Sequence, residues 1–322
     1  VLASGEIVPS PSFVRFKRMA YGLATYLPIT KLVQTSTGGS DDARYCYSVW
    51  FRHLIHAHRA GLPTDPPVVA ELGPGDSLGI GLTALLSGCE QYYALDIREF
   101  AHNERNERVF DLLCKLFAQR SAIPDSNEYP EARPRLDDYS FPHQILSDEH
   151  LSRTLDPQRL ASIRASIKDR GEGSRVHYAA GSYDSRALQA ESLDMVFSQA
   201  VLEHVDDLAG TYRSIHRWLK RGGYMSHQID FRSHGTAALW NGQWTYSDLT
   251  WRIIRGRRPY LINRAPCSTH LSLIREAGFE IVTMIPERSD SAVARQSLAS
   301  PFRGLSDEDL TTSGIFVQAR KT

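Results

Sequence analysis

The stretch from Glu71 to Gly79, Glu-Leu-Gly-Pro-Gly-Asp-Ser-Leu-Gly, and Asp96 beyond it have the residue types and spacing to bind and orient a ligand. The apolar run Val68 to Leu72 leads into a turn holding Glu71, Gly73, Gly75 and Gly79, and Leu78, Leu82, Leu85 and Leu86 then recur at helical spacing. A strand, a bare turn and a helix make the opening unit of a nucleotide-binding sheet. Glycine lets a ligand approach the main chain, and the free N–H groups at the helix start favour a carboxylate or a phosphate. Asp96 closes the next strand, Tyr92 to Ile97, where a carboxylate can accept hydrogen bonds from both ribose hydroxyls. This much fits a nicotinamide dinucleotide and S-adenosylmethionine alike.

A reaction that removes a proton from an acceptor calls for a base, and histidine has the suitable pKa. His204 follows the run Leu193 to Ser198, and His227, Asp230 and His234 lie near the end of Tyr224 to Phe231. Both places are carboxyl ends of strands, where ligands bind in open parallel sheets, so these four are the catalytic candidates. The plain alternatives are a residue that holds the turn and an ordinary polar strand end. His227, Asp230, His234 and His270 also have the donor types of a zinc or non-haem iron site, but no metal is expected. His53, His56 and His58 spread around one helix and read as a solvated face.

Ser233 to Pro266 carries Trp240, Trp244, Tyr246, Trp251 and Tyr260 among five arginines, Arg264 included. Aromatic faces stack on flat groups and guanidinium forks grip carboxylate or phosphate, so Trp240, Tyr246 and Arg264 are candidates for holding an acceptor. The same composition also builds an aromatic mini-core with a basic rim. Tyr45 and Tyr47 join the acceptor candidates if Asp41 to Trp50 folds over the ligand as a lid.

The elements that position these residues alternate along the chain. Val1 to Pro67 is irregular at first and helical from Asp41 to Ala60, an N-terminal extension over residues 1–67. The main domain, 68–322, continues through a helix on Val109, Leu113, Leu116 and Phe117, and a third strand, Arg175 to Ala180. Leu208, Tyr212, Ile215 and Leu219 mark a later helix stopped by Gly222 and Gly223. Two proline- or aromatic-rich stretches, about 121–150 and 233–266, read as insertions, the first lying over the surface. Glu280 to Ile285 and Gly314 to Ala319 finish as strands. Such alternation predicts an α/β fold with a parallel sheet and helices on both faces.

With 37 basic and 37 acidic residues among 322, the chain lacks the charge footprint of a polyanion binder, so neither nucleic acid nor an anionic membrane is an expected partner. No apolar run approaches the roughly 20 residues of a membrane span, and the start has no signal-peptide pattern. Four cysteines without CxxC spacing read as reduced thiols, and the expected location is the cytoplasm. Oligomeric state, a homo-oligomer included, stays open.

The stretch Glu71 to Gly79 resembles the first motif of class I S-adenosylmethionine-dependent methyltransferases. Leu193-Asp-Met-Val-Phe-Ser-Gln-Ala-Val-Leu-Glu-His-Val205 resembles their fourth strand, and Leu219-Lys-Arg-Gly-Gly223 and Glu276-Ala-Gly-Phe279 are similar to later family turns. Arg221 stands where the family usually has proline, and Ser182-Tyr183 where an aspartate often holds the adenine amino group. The resemblance implies a Rossmann-like seven-stranded sheet, mostly parallel with one antiparallel strand. It also implies S-adenosyl-L-methionine held by Glu71, Gly73, Pro74, Gly75, Asp96, Ile97, Ser182, Tyr183, Ser198 and Gln199, and a small-molecule acceptor. Ile229 to Arg264 is similar to several polysaccharide-cluster methyltransferases, which implies a sugar-like hydroxyl. N- or S-methylation, a non-catalytic cofactor-binding scaffold and an NAD-dependent oxidoreductase are the rival readings.

Overall fold

The computed structural model describes residues 10–27, 40–98, 101–170, 173–181, 183, 186–258, 260–290 and 293–322. Among them one sheet has seven strands: β1 (Val68–Leu72), β2 (Gln91–Asp96), β3 (Val176–Ala180), β4 (Leu193–Gln199), β5 (Leu219–Asp230), β6 (Phe279–Arg288) and β7 (Thr312–Lys321). Their order is β3-β2-β1-β4-β5-β7-β6, and β7 runs antiparallel to both of its neighbours while the other pairings are parallel. This is the Rossmann-like mixed sheet that the alternation and the resemblance predict.

Period-two alternation sorts the central strands onto two cores. Val69, Tyr92, Ala94, Met195 and Phe197 face α2 (Ala43–Arg59), α3 (Gly79–Leu86) and α4 (Asn103–Ala118). Ala70, Leu72, Leu95 and Val196 face α7 (Leu208–Trp218) and α9 (Cys267–Glu276), through Tyr212, Ile215, Trp218 and Ile274. Side chains that alternate this way cover both faces and leave the carboxyl ends of β1, β2 and β4 meeting at one edge. Among the described residues no helix is long and apolar enough to cross a membrane.

Three parts depart from expectation. Pro11–Ala24 is a helix, α1, which starts where Ser10 accepts the Phe13 N–H and Pro11 occupies the first turn, a place that suits its missing N–H. It packs against α8 (Asp248–Arg255). The helix α2 buries thirteen of its seventeen residues, so it is core rather than a cover laid over it. His53 and His56 belong to that buried face, next to Phe316, and only His58 is exposed.

The stretch 121–150 also differs from the surface insertion expected. Ile123, Leu136, Phe141 and Leu146 are buried in the core cluster that holds α2. Arg52, itself buried, donates to the carbonyls of Pro134 at 2.9 Å and of Ser48 at 2.9 Å, while Tyr47 and Ser48 donate to Ser121 and Pro124 carbonyls at 2.8 Å. A guanidinium whose donors all meet carbonyls can be buried without a carboxylate. Prolines here fix the path of a packed segment.

Candidate active site

Gly73 and Gly75 both take positive φ, 65° and 71°, in the turn between β1 and α3, and Val201 packs so closely on Gly73 that a Cβ there would meet its methyl at 2.7 Å. A cavity of about 240 Å³ opens against this turn. Gly73, Pro74 and Gly75 form one wall, Asp96 and Ile97 from the end of β2 a second, and Gln199 and Val201 after β4 a third. Tyr45 from α2, Tyr183 and Tyr260 complete the lining, with His204. A larger groove of about 800 Å³ continues from Ile97, Tyr183, His204 and Tyr260 along the polar side of α7, past Asp206, Thr211, Arg213 and Ser214.

The Asp96 carboxylate faces the turn. It accepts the main-chain N–H groups of Gly75 at 3.3 Å, Ile97 at 2.7 Å and Arg98 at 3.4 Å. Burial raises its pKa, and these N–H groups oppose that rise. Glu71 lies behind the turn rather than in it. Alternation points it with Val69 toward α3, where it is buried and accepts the Tyr92 hydroxyl at 2.5 Å. Burial pushes its pKa up to about 8, so it carries a proton at neutral pH.

The Tyr45 phenol is pushed up to about 12, first by burial. The Oε1 atom of Gln199 is buried in the cavity wall with no hydrogen-bond partner, an acceptor awaiting a donor. His204 hydrogen-bonds the Tyr260 carbonyl through Nδ1 at 2.7 Å, which makes Nδ1 the protonated nitrogen and leaves Nε2 its lone pair. Burial, with His234 nearby, lowers its pKa to about 4. The His204 and His234 rings stand 5.1 Å apart, and His234 Nε2 is 3.5 Å from Asp230 Oδ2. Although burial works the other way, His234 and the Arg232 N–H hold Asp230 below its ordinary pKa.

The crevice thus gathers Gly73, Pro74, Gly75, Asp96, Ile97, Tyr183, Gln199, Tyr45 and His204, with Asp230 and His234 beside it. Ser182 lies outside the described residues. Besides Glu71, three further expected residues lie away from the crevice. Ser198 and His227 are fully buried and hydrogen-bond each other at 2.8 Å between β4 and β5, with burial lowering His227 to about 3, so neither reaches the crevice. Tyr47 is core, its hydroxyl spent on Ser121.

Trp240, Tyr246 and Arg264 also stand apart from the crevice. Trp240 packs on Trp244 and Tyr246 on Trp251, and the Arg264 guanidinium lies 4.8 Å from the Trp251 ring centre while Nη2 pairs with Asp248. These are the two aromatic mini-cores left open as the alternative. Five lining residues, Ser40, Ile80, Ala200, Val201 and Tyr260, were not among the expected site residues. Val201 is apolar and has no pattern to mark it. Tyr260 stood among the aromatics, but its place depends on Asn263, which donates to the Leu202 and Val205 carbonyls at 2.8 and 2.9 Å and pins that loop to the end of β4.

Residues 148–226 match a family model described as a methyltransferase domain. No curated protein matches the chain. Solved structures similar to it include an S-adenosylmethionine-dependent methyltransferase from Mesorhizobium loti, 15% identical over 83% of this chain and 96% of that one, with a TM-score of 0.41. Another, from Methanosarcina mazei, is 14% identical over 83% and 96%, TM-score 0.44. Phosphoethanolamine N-methyltransferase 2 of Haemonchus contortus, in complex with S-adenosyl-L-methionine, is 14% identical over 84% of this chain and 52% of that one, TM-score 0.42. Nothing is carried from these distant likenesses to this chain. The matched segment runs from α5 (Asp148–Thr154) into β5 and takes in β4 with the turn that bears His204. Over residues 148–226 the chain matches a methyltransferase domain, and the quoted motifs stand in their order on a sheet of the expected topology.

Proposed function

We propose that the chain methylates a small polar acceptor at oxygen, with the cofactor lying along the cavity between the Gly73–Gly75 turn and Asp96. The observation that carries this reading is a positive-φ glycine turn and a buried carboxylate that accepts the Gly75 N–H, both lining one cavity. Asp96 would take the ribose hydroxyls, Ile97 and Tyr183 would flank the adenine, and the unpartnered Oε1 of Gln199 would accept from the methionyl ammonium.

The cofactor supplies a methyl group on a sulfonium, displaced in line by the acceptor. The protein's part is then mostly to hold the acceptor on that line, and positioning of this kind is worth roughly 7–11 kcal/mol. His204 stands where the cavity meets the larger polar groove, unprotonated at neutral pH, and its free Nε2 would accept the acceptor's proton. Oxygen is favoured over an already neutral amine because a hydroxyl must shed its proton as it attacks, as an ammonium or a thiol also must. The mini-core placement of Trp240 and Tyr246 withdraws the aromatic support for a sugar ring, so the acceptor is given only as a small hydroxyl compound.

Isothermal titration tests the cofactor seat directly. Heat with S-adenosylmethionine and its demethylated product is expected; heat with NADH and none with these two overturns the reading. Labelled cofactor incubated with metabolite extracts then identifies the acceptor. Binding without turnover on any acceptor pool would make the chain a scaffold instead.

A further inference from the structure

Glu203 is 3% exposed, yet no side chain donates a hydrogen bond to its carboxylate, which has only the main chain of Glu203 and Asp230 beside it. A buried carboxyl left this way is costly unless something else meets it. One donor atom each from Glu203, His204 and His234 lies within 4.8 Å of the other two. We propose that these three residues bind one divalent first-row transition cation on the acceptor side of the crevice. The inference rests on the reading above for the role of the site, though not for its existence.

Two imidazoles and one carboxylate are the donor set of open zinc, iron and manganese sites, which keep positions free for an exogenous oxygen. The surroundings are those that orient ligating histidines, each of which donates its second ring N–H to a carbonyl or a carboxylate. His204 meets the Tyr260 carbonyl at 2.7 Å, and His234 lies 3.5 Å from Asp230 Oδ2. Behind Glu203 lies a cavity of about 10 Å³, lined also by Asp230, Gln243 and Asn263. Ligation at roughly 2.0–2.2 Å draws the three donors together, and the exposed His234, on the loop after β5, has the freedom to follow.

A cation there would coordinate the acceptor hydroxyl through its oxygen. The O–H proton would leave to water, the new C–O bond would form as the C–S bond breaks, and the electron pair of that bond would stay on sulfur. His204 would then act through the cation it holds, in place of taking the proton itself.

Cobalt(II) reads this out without turnover. Full-length protein cleared of metal with EDTA is titrated with Co²⁺, visible absorption is followed, and Zn²⁺ is added as competitor. Saturation at one Co²⁺ per chain, reversed by Zn²⁺, is expected. His234→Asn, which suits the positive φ of that residue, and Glu203→Gln should each weaken Co²⁺ binding by more than about 100-fold, and Asp230→Asn by roughly 10- to 100-fold. Circular dichroism checks each fold. If Glu203→Gln does not fold, His234→Asn decides. Absence of a saturable band, or an unchanged titration in His234→Asn, overturns the site. Calorimetry with S-adenosylhomocysteine on the same samples separates the two readings. Heat without a cobalt band removes the cation and keeps the methyltransferase seat, while a cobalt band without heat keeps the cation and removes the seat.

Discussion

Tyr92 donates its hydroxyl to Glu71 Oε2 at 2.5 Å, tying β2 to β1 beneath the glycine turn in a place closed to water. The bond links the acid of the first motif to the second strand, and it fixes how stability responds to base. A folded-state pKa raised to about 8 means that the native state holds a proton which the unfolded chain releases near its ordinary value of 4.5. The stabilisation is therefore complete below about pH 4.5 and is lost as pH rises toward 8, by up to about 1.4 kcal/mol per unit. Glu71→Gln keeps an acceptor for Tyr92 and should flatten that slope. Urea unfolding of both proteins from about pH 5 to about pH 8 checks it. Parallel curves would refute it.

Asp96→Ala should weaken cofactor binding while the fold persists. Hydrogen bonds to a charged group are worth roughly 1.5–3 kcal/mol, so a rise of about 10- to 150-fold in the dissociation constant is expected by titration calorimetry. An unchanged constant would place the ribose elsewhere.

Three histidines buried without charge set the acid limit. His53, His227 and His270 are held near 3 by burial, while the unfolded chain protonates them near 6.5. Their contribution is intact above about pH 6.5 and falls as pH drops from there toward 3, steeply because the three add. Unfolding free energies from denaturant titrations, measured downward from about pH 7, should decline with a slope of several kcal/mol per unit, on the order of 1.4 for each residue. A flat profile to about pH 5 would contradict their burial.

Trp244 is fully buried and donates to the Arg264 carbonyl at 2.9 Å. Trp244→Ala should cost roughly 3–5 kcal/mol of stability and leave the affinity for S-adenosylhomocysteine unchanged. Loss of affinity in a protein of unaltered stability would return these aromatics to ligand binding.

The crevice floor was legible because its signals are local. Val68–Leu72 could be read from a short apolar run and a glycine turn, and Asp96 from its place at a strand end. What escaped depends on partners distant in sequence. The spacing of His53 and His56 fits a wet or a dry helix face equally, and only Phe316, Ser226 and Gln318 across the sheet make it dry. The start of the chain read as irregular although Ser10-Pro11 begins α1, because a proline in the first turn looks the same as one that ends a helix. Glu203 gave no hint, since burial without a side-chain partner is a property of coordinates.

Tyr45 reaches the crevice from a helix whose far side is locked to 121–150 by Arg52 and against β4 by Trp50 on Phe197. Among the described residues this wall is fixed on both sides. Adjustment to a ligand then falls to rotations of single rings at the mouth, Tyr183 and Tyr260 among them.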